Sequence, residues 1–242
     1  MSAVVTGAAS GLGLALVREL AERGTTVVGL DLPGDHRAAS VADAGGRFVA
    51  CDVTAADDWR AIARTIGEDL GRLDLLALNA GIMTRGPGSA IDDDPLALVG
   101  SPGYRRVFAV NVDGVALGLA AMRPLMADGS AIVVTASTAA LEGLAFDPFY
   151  AASKHAVLGL VRSLGRAFAE SGVRLNALCP GGMDTAIVPE SLRASVPAAT
   201  FRPPVAVARA VLAVAARPES GAAWLLTDDD EMIRRYDAGV FR

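Results

Sequence analysis

Three chemically versatile residues are scarce in this chain of 242 residues, which has one lysine, two cysteines and two histidines. Cys51 and Cys179 lie far apart and form no CxxC pair, which argues against a disulfide framework or a zinc site and for buried free thiols. His36 and His155 are too few for a metal cluster, and no metal is expected. Hydrophobic residues make up 52% of the chain, yet no uninterrupted apolar run approaches the roughly 18 residues that a membrane helix needs. Neither a basic flank nor a long apolar segment marks Met1 to Thr6, which argues against a signal peptide and makes the cytoplasm the expected location. A net charge of −5 with arginines scattered through the chain argues against a nucleic-acid surface. What remains is one α/β domain over residues 1–242, with a small molecule as its partner.

The single lysine stands where chemistry can use it. Of 22 basic residues 21 are arginine, and Lys154 follows Tyr150 by four positions in the run Tyr150, Ala151, Ala152, Ser153, Lys154. On a helix, residues i and i+4 share a face, so phenol and ammonium become neighbours. Arginine is a planar fork, lysine a compact charge on a flexible stem. A sequence that uses arginine everywhere else has kept lysine at a place where the two cations differ.

Apolar, β-rich runs predict seven strands: Ala3 to Thr6, Thr26 to Leu30, Arg47 to Cys51, Leu73 to Leu78, Ala131 to Thr135, Arg174 to Cys179 and Ala223 to Leu226. Helical spacing appears between them, near Leu12 to Arg23, Ala55 to Leu70, an interrupted Leu96 to Met126, Tyr150 to Ser171 and Val205 to Ala216. The alternation predicts a doubly wound (Rossmann) parallel seven-stranded sheet with helices on both faces. Two segments break it. Met83 to Pro95 is rich in Gly and Asp, and 185–204 carries four prolines and is expected to be a substrate lid.

The first strand runs into Thr6, Gly7, Ala8, Ala9, Ser10, Gly11, Leu12, Gly13. Glycines at a strand-to-helix turn let backbone approach a pyrophosphate, and the helix N-terminus offers free N–H groups there. Gly7, Gly11 and Gly13 therefore read as a phosphate cradle. Asp31 closes the second strand, where a carboxylate accepts ribose hydroxyls and repels a 2′-phosphate. NAD is favoured over NADP, because Leu32 and Pro33 follow Asp31 and Arg37 is a distant alternative.

TGxxxGxG at Thr6 to Gly13, Asp52 with Val53, the run Asn79, Ala80, Gly81, then Asn111, Ser137, YxxxK at Tyr150 to Lys154 and PGxxxT at Pro180 to Thr185 follow one another in order. With these motifs the chain resembles the short-chain dehydrogenase/reductase family along nearly its whole length. The resemblance implies an NAD(P)-dependent oxidoreductase with a catalytic set of Asn111, Ser137, Tyr150 and Lys154. It also implies cofactor contacts at Ser10, Leu12, Asp52 and Val53 beside adenine, at Asn79, Ala80 and Gly81, and at Pro180, Gly181, Met183 and Thr185 towards the nicotinamide. Asn111 would hold a water chain behind Lys154. A homodimer or homotetramer is the implied assembly.

The chemistry agrees. Oxidising an alcohol needs a base near neutral pH, and a tyrosine at about pKa 10 is too weakly ionised without a neighbouring cation. Lys154 is expected to lower the Tyr150 pKa, and Ser137 to donate to the substrate oxygen. Leu144, Phe146 and Ile187 imply an apolar substrate pocket. Glu142 and Asp147 read as turn or solvent positions. The expected reaction joins a mostly apolar secondary alcohol, or its ketone, to nicotinamide. Rivals are a ketoacyl reductase drawing on NADPH, which Asp31 disfavours, and a nucleotide-binding sensor without turnover, which an intact Ser, Tyr, Lys set disfavours. An extended-type epimerase is disfavoured as well. The resemblance breaks after the last expected strand, at Thr227, Asp228, Asp229, Asp230, Glu231 and on to Arg242, which leaves tetramer contacts and any part of this acidic tail in the site open.

Overall fold

A computed structural model describes residues 1–86, 88, 94–226 and 233–237. Strands and helices alternate from the start: β1 (Ser2–Thr6), α1 (Gly11–Glu22), β2 (Thr26–Asp31), α2 (Asp35–Asp43), β3 (Arg47–Ala50), α3 (Ala56–Asp69) and β4 (Leu73–Leu78). Then come α4 (Pro102–Phe108), a π-helical turn (Ala109–Asp113), α5 (Gly114–Met122), β5 (Met126–Thr135), α6 (Pro148–Ala169), β6 (Arg174–Cys179), α7 (Glu190–Ser195), α8 (Pro204–Ala215), β7 (Ala223–Leu226) and β8 (Ile233–Tyr236).

One sheet carries everything, in the order β3-β2-β1-β4-β5-β6-β7-β8. Side chains alternate between its faces, as the two-residue strand period requires. Val4, Leu76, Ile132 and Val134 pack with Trp59, Leu119 and Leu158 on one face. Ala3, Val5, Ala77 and Val133 pack with Leu16, Val41 and Val211 on the other. Both faces are covered, so the strands read as continuous apolar runs. The strand order reverses between β1 and β4, where Val5 pairs with Ala77. A crevice opens beyond the carboxyl ends of these two strands, the place where such sheets bind ligands.

The expected parallel sheet is present with one strand more. β8 adds an antiparallel edge, pairing Leu226 with Ile233 and Ala223 with Tyr236. Its Arg234 and Arg235 are exposed and only Ile233 is buried, so charges at a sheet edge hide the strand from apolar pattern reading. Residues 227–232, residues 238–242, and residues 87 and 89–93 of the expected break from Met83 to Pro95 lie outside the described residues. Sequence pattern also missed α2, whose one buried residue is Val41. Conversely, Pro102–Leu125 is long and apolar enough by composition to cross a membrane. Here it packs against α3 and α6 as a core helix and buries Val115, Leu119 and Met122. Cys51 and Cys179 are buried thiols, as expected.

Candidate active site

The turn after β1 builds one wall. Gly7 has φ +63°, which a side chain would strain, and a β-carbon there would come 3.0 Å from the Ala80 Cα. Beneath it the Thr6 hydroxyl accepts from the amides of Asn79 at 2.8 Å and Ala80 at 2.9 Å, which pins the turn after β4 against the turn after β1. Asn79 adds its own bonds, donating to the Thr6 carbonyl at 3.2 Å and accepting from the Thr135 hydroxyl at 3.3 Å. Three strand ends are thereby tied at the sheet's switch point.

A cavity of about 1130 Å³ lies over these ends. Gly7, Ser10, Gly11 and Leu12 line it on the α1 side, and Asp31, Asp52 and Val53 at its far end. Asn79, Ala80 and Gly81 form its floor, with Ser137, Tyr150 and Lys154 beyond. Pro180, Gly181, Met183, Thr185 and Ile187 close it from the β6 side. Four expected site residues do not line the cavity. Gly13 does not reach the cavity: a β-carbon there would sit 2.0 Å from the Gly7 carbonyl oxygen, so this glycine lets α1 close on its own turn. Leu144 and Phe146 also stay outside the lining. Asn111 is fully buried, and its side chain is spent on protein partners: Oδ1 accepts from the Ile82 amide at 2.9 Å, and Nδ2 donates to the Ile82 carbonyl at 3.0 Å and to the Ser153 hydroxyl at 2.9 Å.

At the adenosine end, Asp31 accepts from the amides of Ala9 at 2.9 Å and Leu32 at 2.8 Å. Arg37 is not distant. The first turn of α2 brings its Nε to 3.4 Å from Asp31 Oδ1, and both residues line the cavity. Sequence spacing missed this pair because α2 itself went unread.

At the other end, the Lys154 ammonium donates to the Thr135 carbonyl at 2.8 Å. Burial lowers its pKa from 10.5 to about 8. The Tyr150 phenol departs from the expectation. Burial pushes it up to about 12, a hydrogen bond from Ser137 pulls it back and the Asp147 carboxylate adds to the rise. Lys154 Nζ, bonded to Thr135, stands 5.7 Å from the phenol ring centroid. Asp147, expected at a turn or in solvent, is wholly buried at the N-cap of α6. The signal was present in the sequence, since an Asp followed by Pro marks an N-cap and first helical position.

These residues fit a nicotinamide dinucleotide. The glycine turn leaves space that side chains would fill, and the Thr185 hydroxyl is buried in the cavity wall with no hydrogen-bond partner.

A family model described as Enoyl-(Acyl carrier protein) reductase matches residues 7–233. Among characterised relatives, the cis-4-hydroxycyclohexanecarboxylate dehydrogenase of Sinomonas cyclohexanicum is 41% identical, over 81% of this chain and 80% of its own. The 3beta-hydroxysteroid dehydrogenase of Mediterraneibacter gnavus is 36% identical, over 78% of this chain and 68% of its own. Short-chain dehydrogenase reductase 5 of Arabidopsis thaliana is 32% identical, over 98% of this chain and 91% of its own.

Proposed function

The chain belongs to the short-chain dehydrogenase/reductase family, and from that premise we propose an NAD-dependent dehydrogenase that oxidises a mostly apolar secondary alcohol to a ketone, or runs in reverse. It is an oxidoreductase of secondary alcohols with a nicotinamide cofactor, as its hydroxycyclohexanecarboxylate and hydroxysteroid dehydrogenase relatives support. The observation that carries the reading is the convergence of Ser137, Tyr150 and Lys154 on the same cavity that the Gly7 to Leu12 turn lines.

Asp31 would take the adenosine ribose hydroxyls, Asp52 and Val53 would flank adenine, the α1 N-terminus would face the pyrophosphate and Thr185 Oγ1 would meet the carboxamide. Nicotinamide would supply the hydride-accepting carbon and, when oxidised, a positive charge. As the alcohol becomes a ketone, its hydroxyl proton passes to the Tyr150 oxygen, which must first be a phenolate. Because burial holds that phenol near 12, the site depends on added positive charge to ionise it. Lys154 provides one cation and would also clamp the ribose. Ser137 donates to the substrate oxygen, where charge develops. Asn111 shapes the wall through Ile82 and Ser153. The 185–204 segment acts as a lid, with Ile187 giving the substrate an apolar contact, in a cytoplasmic homo-oligomer.

A panel of secondary alcohols and ketones, followed by the absorbance of reduced nicotinamide with NAD and with NADP, tests the proposal. NAD-linked turnover of an apolar alcohol is expected. Tight dinucleotide binding with no turnover across the panel would instead favour a sensor.

A further inference from the structure

Asp147 has no exposed surface, and the proton and hydride transfers do not need its carboxylate. Its Oδ2 accepts from the amides of Thr84 at 2.9 Å and Arg85 at 3.2 Å, while Oδ1 accepts from the amide of Tyr150 at 3.1 Å. One carboxylate thus joins the loop after β4 to the first turn of α6. Arg85 reinforces the joint, its Nε donating to the Phe146 carbonyl at 2.6 Å. A helix cap alone does not call for this arrangement, because a serine or asparagine caps as well without burying a charge.

Tyr150 is gripped from its carbonyl side too. Ser153 Oγ donates to the Tyr150 carbonyl at 2.7 Å and receives Asn111 Nδ2 at 2.9 Å, and Asn111 in turn holds Ile82 by both its amide and its carbonyl. Both the N–H and the carbonyl of Tyr150 therefore lead to the same short loop, residues 82–85.

We propose that Asp147 is a positioning residue for the acid/base tyrosine: its carboxylate sets where α6 begins against the 82–85 loop, and so where the phenol lies relative to Ser137 and the substrate oxygen. The inference rests on the reading of Tyr150 as the acid/base.

The carboxylate also acts on the phenol through its charge. Around Tyr150 stand Ser137 at the end of β5, Lys154 on α6, Cys179 of β6 behind Lys154, and Arg85 on the loop; from α4, Tyr104 meets Phe149 edge-on with ring centroids 4.9 Å apart. Among these groups Asp147 is the carboxylate that raises the phenol.

Asp147→Asn keeps the shape but removes the charge, and its single carbonyl oxygen can serve the loop or Tyr150, not both. Tyr150 is titrated without substrate by ultraviolet difference absorbance of tyrosinate, with Tyr150→Phe as the blank. The expected midpoint falls from about 12, by roughly half a unit or more as a like charge is lost. The pH-independent kcat/KM should fall at least about tenfold, as a loss of acid/base alignment predicts, while the thermal shift by NAD is retained. A wild-type titration curve, or a wild-type kcat/KM plateau, overturns the proposal; the first would leave Asp147 a structural strut. Asp147→Ser, a neutral cap, should behave in the same way. If neither variant folds, Arg85→Met leaves Asp147 and loosens the same joint, and wild-type kinetics there would overturn the proposal. Normal turnover by Tyr150→Phe would sink the acid/base reading itself, a separable result.

Discussion

The Lys154 ammonium donates to the Thr135 carbonyl at 2.8 Å, anchoring the only lysine of the chain to the end of β5. The bond explains why the cation sits beside the Tyr150 ring without pairing with the phenol, and it makes the side chain's size matter as much as its charge.

Lys154→Arg should retain the thermal shift by NAD and lose at least about a hundredfold in kcat, the low end for disrupted acid/base chemistry. A guanidinium fork cannot occupy the pocket between Thr135, Gly81 and the phenol, where a β-carbon on Gly81 would already stand 3.3 Å from Nζ. Steady-state kinetics decide it. Near-normal kcat would mean that charge alone suffices.

Stability should depend on pH through the same side chain. The folded pKa of Lys154 is about 8 and its ordinary value is 10.5, so between these limits the unfolded chain binds the extra proton and stability rises with pH. Tyr150 acts oppositely, since its folded value of about 12 lies above its ordinary 10 and stability falls as pH rises from 10 to 12. Thermal melts of wild type and Lys154→Met across pH 7 to 10.5 check the first window. The variant's advantage should be largest below pH 8 and shrink towards pH 10.5; a gap independent of pH would contradict it.

Cofactor choice should reflect the Arg37–Asp31 pair. Asp31 repels a 2′-phosphate, but an exposed arginine 3.4 Å away offsets part of the repulsion. A preference for NAD on the order of ten- to a hundredfold in kcat/KM is therefore expected. Asp31→Ala should free Arg37 for the phosphate and raise NADP activity, and adding Arg37→Ala should remove that gain. Equal wild-type rates with the two cofactors would count against Asp31 as the selector.

Gly13→Ala should destabilise the fold by about 1–3 kcal/mol, because its β-carbon would overlap the Gly7 carbonyl and α1 would have to shift. Denaturant unfolding measures this. An unchanged midpoint would show that the turn yields freely.

Light scattering should report a multiple of the 24.7 kDa chain mass. The surface expected to serve it is the face of the apolar helix α5 that leaves Ala116 and Ala120 exposed. A monomeric mass at micromolar concentration would count against this assembly.

The order of the motifs and the period of the apolar residues determined most of this protein by themselves. Strand runs buried on both faces dictated a parallel sheet, and the turn at Gly7, the carboxylate at Asp31 and the spacing from Tyr150 to Lys154 pointed to one end of it as the site. Such features are local: a turn, a strand end and one helical face each lie within a few residues. Contacts across the chain were decided by tertiary structure alone. Arg37 reaches Asp31 only because α2 turns back over β2. Asn111 spends its amide on Ile82 and Ser153, and Asp147 disappears beneath the 82–85 loop, 62 and 63 positions from the amides it holds. Even the direction of the Tyr150 shift follows from burial, a property of the packed surroundings. No spacing along the chain encodes which groups exclude water from a phenol, so the sequence singled out Tyr150 and the fold set the direction of its shift.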